Sequence, residues 1–220
     1  MDDGGIWLEQ QGATENIILD YFSSIFSTDH PSNFGASLEA VSEKVTPEMN
    51  NVLLESFKAD EVWQVLQQMH PTKSPGPDGM SPIFYQKYWD IVGVNVSSCV
   101  LQALNTGVMP RDINNTYICL ILKIKNPQKI MDYRPISLCN VIYKLISKVL
   151  ANRLKQNLHE VINEAQSAFV LGRHIIDNVV VAFETMHTIG KRKKGLMAIK
   201  LDMSKAYDRV EWGYLEIVMR

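Results

Sequence analysis

Ala198-Ile199-Lys200-Leu201-Asp202-Met203-Ser204-Lys205-Ala206-Tyr207-Asp208-Arg209-Val210-Glu211-Trp212 runs from an apolar stretch directly into an acid, and a second acid follows near a helix start. Leu196 to Leu201 has the aliphatic content of a strand, and Val210 to Met219 the pattern of a helix. A carboxylate at the end of a buried strand is rigidly held and exposed at the rim of its sheet. That is a good position for a magnesium ligand. The plain alternative is that Asp202 caps a turn and Asp208 caps a helix. These residues alone leave both readings open.

Upstream, Lys191-Arg192-Lys193-Lys194-Gly195 reads as a turn, Ile176 to Ile189 as a helix, and Val161 to Ala168 as a short helix. Asn140 is placed to cap the strongest helix in the chain, whose stripe is Ile142, Leu145, Ile146, Val149, Leu150 and Leu154. Lys144, Lys148, Arg153 and Lys155 lie mostly off that stripe. Asp132 to Leu138 is extended, because the residue before Pro135 avoids the helical region. Tyr117 to Ile124 is a convincing strand. A helix through Val96, Val100 and Leu104 ends near Gly107. Pro71 to Met80, with three prolines and two glycines, is irregular; Ser81-Pro82 then opens another helix. Val62, Val65, Leu66 and Met69 mark a helix, and Thr46-Pro47-Glu48 starts one. Residues 27–45 read as a linker after a helix that begins near Glu15.

Composition excludes several classes. Of the 220 residues 46% are hydrophobic and 21% charged, which is ordinary globular usage. No segment approaches the roughly 20 apolar residues of a membrane helix. The start, Met1-Asp2-Asp3-Gly4-Gly5, has no apolar run behind it, so the expectation is a protein that is not secreted. An intracellular home follows, nucleus and cytoplasm being equally open. Three cysteines, Cys99, Cys119 and Cys139, suit a reducing compartment. No phosphate-binding glycine loop with its lysine, nucleophile elbow or histidine pair at metal spacing occurs. The formal charge is −2, but it is unevenly placed: residues 1–119 carry 5 basic and 15 acidic side chains (5 − 15 = −10), and residues 120–220 carry 17 and 9 (17 − 9 = +8). A basic second part hints at a polyanionic partner; a lysine-rich solvated surface is the alternative.

Lys200 to Val210 closely resembles the first catalytic motif of reverse transcriptases from non-LTR retrotransposons, nearest to plant elements of the long-interspersed type. Four other stretches agree, in the family's order: Lys73-Ser74-Pro75-Gly76-Pro77-Asp78-Gly79; Asp132-Tyr133-Arg134-Pro135-Ile136-Ser137-Leu138; Asn152-Arg153-Leu154; and Gln166 to Arg173 with Asp177-Asn178. The resemblance covers roughly residues 50–220. It implies an α+β fold, the fingers and beginning of the palm of a right-hand polymerase, truncated. Residues 1–45 would be a lead-in helix and linker, and 46–220 an incomplete reverse transcriptase domain.

The same resemblance implies roles. Asp202 would be the catalytic, metal-binding aspartate, with the Met203 carbonyl as second ligand to Mg²⁺. Tyr207 would be the gate against a ribose 2′-hydroxyl, core packing being the alternative. Asp208 would be structural. Arg134 would hold the triphosphate, supported by Lys123. Gln166, Arg173 and Lys73 would lie along the template; for Arg173 a surface salt bridge with Asp177 competes. The implied partners are an RNA template, a DNA primer and deoxynucleoside triphosphates, without a membrane. Leu122 and Leu171 stand where the family usually has proline. The family's second catalytic motif, with its two aspartates, is not among these residues, and the only adjacent pair is Asp2-Asp3. One carboxylate cannot hold two metals, so the chain is expected to be inactive alone. A non-catalytic nucleic-acid-binding remnant is the rival reading. A group-II-intron-type maturase would lack the Gly-Pro-Asp-Gly and Tyr-Arg-Pro-Ile-Ser-Leu patterns.

Overall fold

The computed structural model describes residues 11–192, 195–203 and 205–220. Its elements in order are α1 (Gln11–Phe26), α2 (Gly35–Leu38), α3 (Pro47–Leu54), α4 (Ala59–Gln67), α5 (Pro82–Lys87), α6 (Trp89–Thr106), β1 (Thr116–Leu122), β2 (Tyr133–Cys139), α7 (Val141–Leu154), α8 (Leu158–Val161), α9 (Ile175–Lys191) and α10 (Trp212–Met219). Single 3-10 turns cover Ile130–Asp132 and Tyr207–Arg209. The chain divides into two compact units. One comprises Met1–Glu43, Leu122–Arg134 and Val180–Arg220; the other comprises Lys44–Ile121 and Pro135–Val179.

The second unit holds the core. Apolar residues three and four apart put Val62, Val65 and Leu66 on one side of α4, Val96, Val100 and Ala103 on one side of α6, and Val141, Leu145, Ile146 and Val149 on one side of α7. These faces pack together with Met69 and Tyr85, and each buried aliphatic side chain contributes ~1.5–3 kcal/mol. The ends follow the local chemistry. Thr46 Oγ1 accepts from the Met49 N–H at 3.2 Å, with Pro47 at the first helical position of α3. Gly107 closes α6 with φ +71° and donates its N–H to Ala103 O at 3.0 Å.

β1 and β2 form a two-stranded antiparallel ribbon. Lys123 N–H donates to Asp132 O at 2.8 Å, and Thr116 Oγ1 lies 3.6 Å from Cys139 Sγ. The register therefore pairs Lys123 with Asp132 and Thr116 with Cys139.

Three expectations need correction. Leu196 to Leu201 is not a strand; residues 195–203 form no regular element, and Leu201 is 85% exposed. A strand exists only by pairing, and among the described residues β1 and β2 pair only with each other. The strand expected at 196–201 is thus not formed here. Second, 161–168 is not a helix; α8 ends at Val161. Arg173 takes the carbonyls of Ile162, Asn163 and Gln166, which helical N–H groups would otherwise occupy, and Asn163 Oδ1 folds back onto the Ala165 N–H at 2.9 Å. Third, the alternative reading in which Asp208 caps the last helix is not met, since Glu211 stands at that position. Of the turn expected at 191–195, Lys193 and Lys194 lie outside the described residues, as do residues 1–10 of the lead-in.

Candidate nucleic-acid and nucleotide site

Asp202 and Met203 are exposed at the end of the irregular segment that follows Gly195. Tyr207 opens the 3-10 turn and is 93% exposed, so plain core packing does not describe it in this structure. The turn is closed by Asp208 N–H on Lys205 O at 3.1 Å, with Lys205 at φ +55°. Among the described residues no hydrogen bond or ion pair joins Asp202 to Tyr207, Lys123 or Arg134.

Lys123 and Arg134 flank the β1–β2 connection. Lys123 Nζ donates to Met131 O at 2.7 Å, while Arg134 is exposed on β2. Between them, the N–H groups of Gln128 and Lys129 donate to Asp132 Oδ2 at 2.9 and 3.0 Å. These two bonds hold the Asp132 carboxyl below its ordinary range, with the charges of Lys123 and Lys129 acting in the same direction. Tight local bonding thus shapes the connection that presents the two cations.

Gln166 and Arg173 do meet. Arg173 Nη1 donates to Gln166 O at 2.7 Å and Asn163 O at 2.5 Å, and Nη2 to Ile162 O at 3.2 Å. The guanidinium clamps its own loop. Asp177, its rival partner by sequence, accepts instead from the His174 N–H at 3.3 Å.

Lys73 lies in the loop 71–80, which the structure joins to the end of β2 and the start of α7. A Cβ on Gly76 would sit 2.3 Å from the Asn140 backbone N, so only glycine lets the two backbones approach so closely. Asn140 Oδ1 accepts from the Asp78 N–H at 3.2 Å, and Nδ2 donates to Ile113 O at 3.4 Å. Asn140 therefore caps α7 through its backbone, whose carbonyl accepts from Lys144 N–H, and not through its side chain. Lys144 Nζ donates to Ser74 O at 2.8 Å.

Sequence reasoning assigned no role to Arg153. Its guanidinium binds both oxygens of Glu61, at 2.8 and 2.9 Å, donates to the carbonyls of Leu53, Glu55 and Ser56, and lies 3.6 Å over the Phe57 ring. This bonding pulls the Glu61 carboxyl below its usual range. The available signal was a cation at the end of the α7 pattern, which does not say what it holds.

Asp202 and the Met203 carbonyl are hard oxygen donors, the kind magnesium takes. Among the described residues, however, no group of three His, Cys, Asp or Glu side chains could hold a metal ion. The residues at hand fit one edge of a magnesium site and not a whole one, so no chemical step is derived through the metal.

Residues 124–217 match the family described as "Reverse transcriptase (RNA-dependent DNA polymerase)". More particularly, the chain is homologous to non-LTR retrotransposon products. It is 31% identical over 97% of its length to the "Transposon TX1 uncharacterized 149 kDa protein" of Xenopus laevis. It is 20% identical over 94% of its length to the Pol polyprotein from type-2 retrotransposable element R2DM of Drosophila melanogaster. With the Pol polyprotein from type-1 retrotransposable element R1 of Bradysia coprophila it shares 22% identity over 94%. The chain spans 16%, 18% and 20% of the length of these relatives. No helix among the described residues is long and apolar enough to cross a membrane.

Proposed function

We propose that this chain is the fingers and the beginning of the palm of an RNA-directed DNA polymerase from a plant-type non-LTR retrotransposon, with residues 46–220 as its part of the polymerase domain. The observation that carries the reading is the match of residues 124–217 to the reverse transcriptase family together with similarity to the transposon protein over 97% of the chain. Within the polymerase, Asp202 and the Met203 carbonyl would supply two of the oxygen ligands of a Mg²⁺ ion, whose chemistry there would be charge stabilisation in nucleotidyl transfer. Arg134 and Lys123 take the triphosphate from the two sides of the ribbon connection. Tyr207 excludes ribonucleotides. Lys73 and Gln166 lie along an RNA template; Arg173 positions the Gln166 loop through its three carbonyl bonds.

The test is a chimera in which these 220 residues replace the matching segment of the R2DM polyprotein. Primer extension on RNA is expected, lost in Asp202→Asn, with Tyr207→Ala admitting ribonucleotides. Extension that survives Asp202→Asn would overturn the assignment. One observation favours a second reading, a non-catalytic nucleic-acid-binding protein: residues 120–220 carry 17 basic against 9 acidic side chains. It is selected if the 220-residue chain binds RNA while the chimera extends no primer.

A further inference from the structure

Near its start, α4 twice sets an acid beside an aromatic ring, and only one of the two pairs has its cation. Arg153 binds both Glu61 oxygens, at 2.8 and 2.9 Å, and lies 3.6 Å over the Phe57 ring. Asp60 and Trp63, three residues apart, are likewise neighbours on the helix surface. With Trp89, Asp90, Val94 and Leu101 they line an open groove of about 1120 Å³ between α4 and α6. The lining has two carboxylates and no basic side chain. Among the described residues neither Asp60 nor Asp90 has an ion-pair partner. Acids in the first turns of α4 and α6 suit the helix dipoles, which accounts for the charges but not for the indoles beside them. Trp63 and Trp89 lean together, with ring centroids 5.0 Å apart and planes 36° from parallel. A Cβ at Gly93 would meet the Trp89 ring at 2.7 Å, so glycine lets that ring lie against α6, at an interior position where glycine weakens the helix. Trp63 is 37% and Val94 82% exposed.

We propose that this groove docks an arginine-bearing segment of a partner protein, with a guanidinium stacked on Trp63 and bonded to Asp60, a second cation at Asp90, and an apolar side chain against Val94 and Leu101. A guanidinium is planar, stacks on an indole and donates in parallel to both oxygens of a carboxylate; an ammonium is a point charge and does neither as well. The two indoles stand too close to admit a cation between them, so it takes the open face of Trp63, as Arg153 takes a face of Phe57. Two carboxylates without a balancing cation repel phosphates, so charge selects a basic protein segment over a nucleic-acid strand. None of these residues belongs to the nucleotide, template or metal positions above, so the docking does not depend on the polymerase reading.

The experiment titrates a short fluorescein-labelled peptide, in which arginine and leucine alternate, with the nuclease-treated 220-residue chain and reads anisotropy. Saturable binding is expected, weakened on the order of tenfold in Asp60→Asn/Asp90→Asn and about threefold when lysine replaces arginine in the peptide. Trp63→Leu keeps an apolar side chain and is expected to remove the preference for arginine over lysine. Val94→Lys places a positive charge at an exposed position of the lining, away from the core, and is expected to weaken binding on the order of tenfold as well. The control Glu39→Gln/Glu43→Gln removes the same charge outside the groove and is expected to change affinity less. Equal weakening by the control would reduce the effect to net charge and overturn the proposal. So would absence of binding, equal affinity for the lysine peptide, or binding indifferent to both Asp60→Asn/Asp90→Asn and Val94→Lys. Sedimentation velocity of the chain alone is expected to show a monomer. A dimer that dissociates in Asp60→Asn/Asp90→Asn would give the groove to a second copy and overturn the assignment to a partner protein.

Discussion

At the scale of single residues, Arg153 decides most. Its guanidinium side chain is 12% exposed and every contact it makes ties α7 to residues 53–61. A lysine has three donors on a point charge and cannot reproduce a planar fork over Phe57. Arg153→Lys is therefore expected to cost ~2–3 kcal/mol in urea unfolding, and Arg153→Ala more, because it also removes the packing over Phe57. A pH dependence follows. Because the Glu61 carboxyl is held below its ordinary range in the folded chain, it adds stability above the unfolded value, about 4.3. That stability is lost as pH falls through the folded value. Glu61→Gln is expected to be less stable at neutral pH and to lose less stability than the parent on acidification, as read by denaturant midpoints at pH 7 and pH 3. The irregular course of residues 71–80 was legible in their prolines and glycines, and Gly76 there meets the Asn140 backbone closely. The partners of Arg153 were not, since Leu53, Glu55 and Ser56 offer it only carbonyls, and carbonyls carry no sequence signature.

At the scale of elements, legibility follows self-sufficiency. The patterns of α4, α6 and α7 declare both the helix and its buried face, because local spacing determines both. β1 was legible from its aliphatic run, but Leu196 to Leu201 has the same run and forms no strand. Its fate depends on a neighbour that no local rule supplies. The β1–β2 ribbon itself is half-protected: Tyr117 and Leu122 are 63% and 53% exposed, and two strands alone are marginal. Backbone amides of β1 and β2 are expected to exchange with deuterium at least about tenfold faster than those at Val65, Val100 and Val149 in the core helices. Equal protection would mean that the ribbon is covered in solution.

At the scale of the whole molecule, all the buried residues described lie in the second unit, from Val62 to Val170, and none in Met1–Glu43, Leu122–Arg134 or Val180–Arg220. Mild proteolysis is expected to cut first within 180–220 and 12–43 and to spare the helices α4 to α7, as mapped by mass spectrometry. Cleavage inside α7 at the same rate would overturn that order. The candidate catalytic positions Asp202 and Tyr207 lie in the unit without a core, whereas the groove of Trp63 and Trp89 lies in the unit with one. The side chain of Asn140 carries a consequence for the timing of folding. It reaches Asp78 across 62 residues of chain and Ile113 across 27. Closing such loops costs entropy before any bond is returned, so these bonds form after the helices have met. Asn140→Ala should consequently raise the unfolding rate several-fold while leaving the refolding rate nearly unchanged. Residue 140 then works as a late latch, which sets how long the folded helices last and not how fast they find one another.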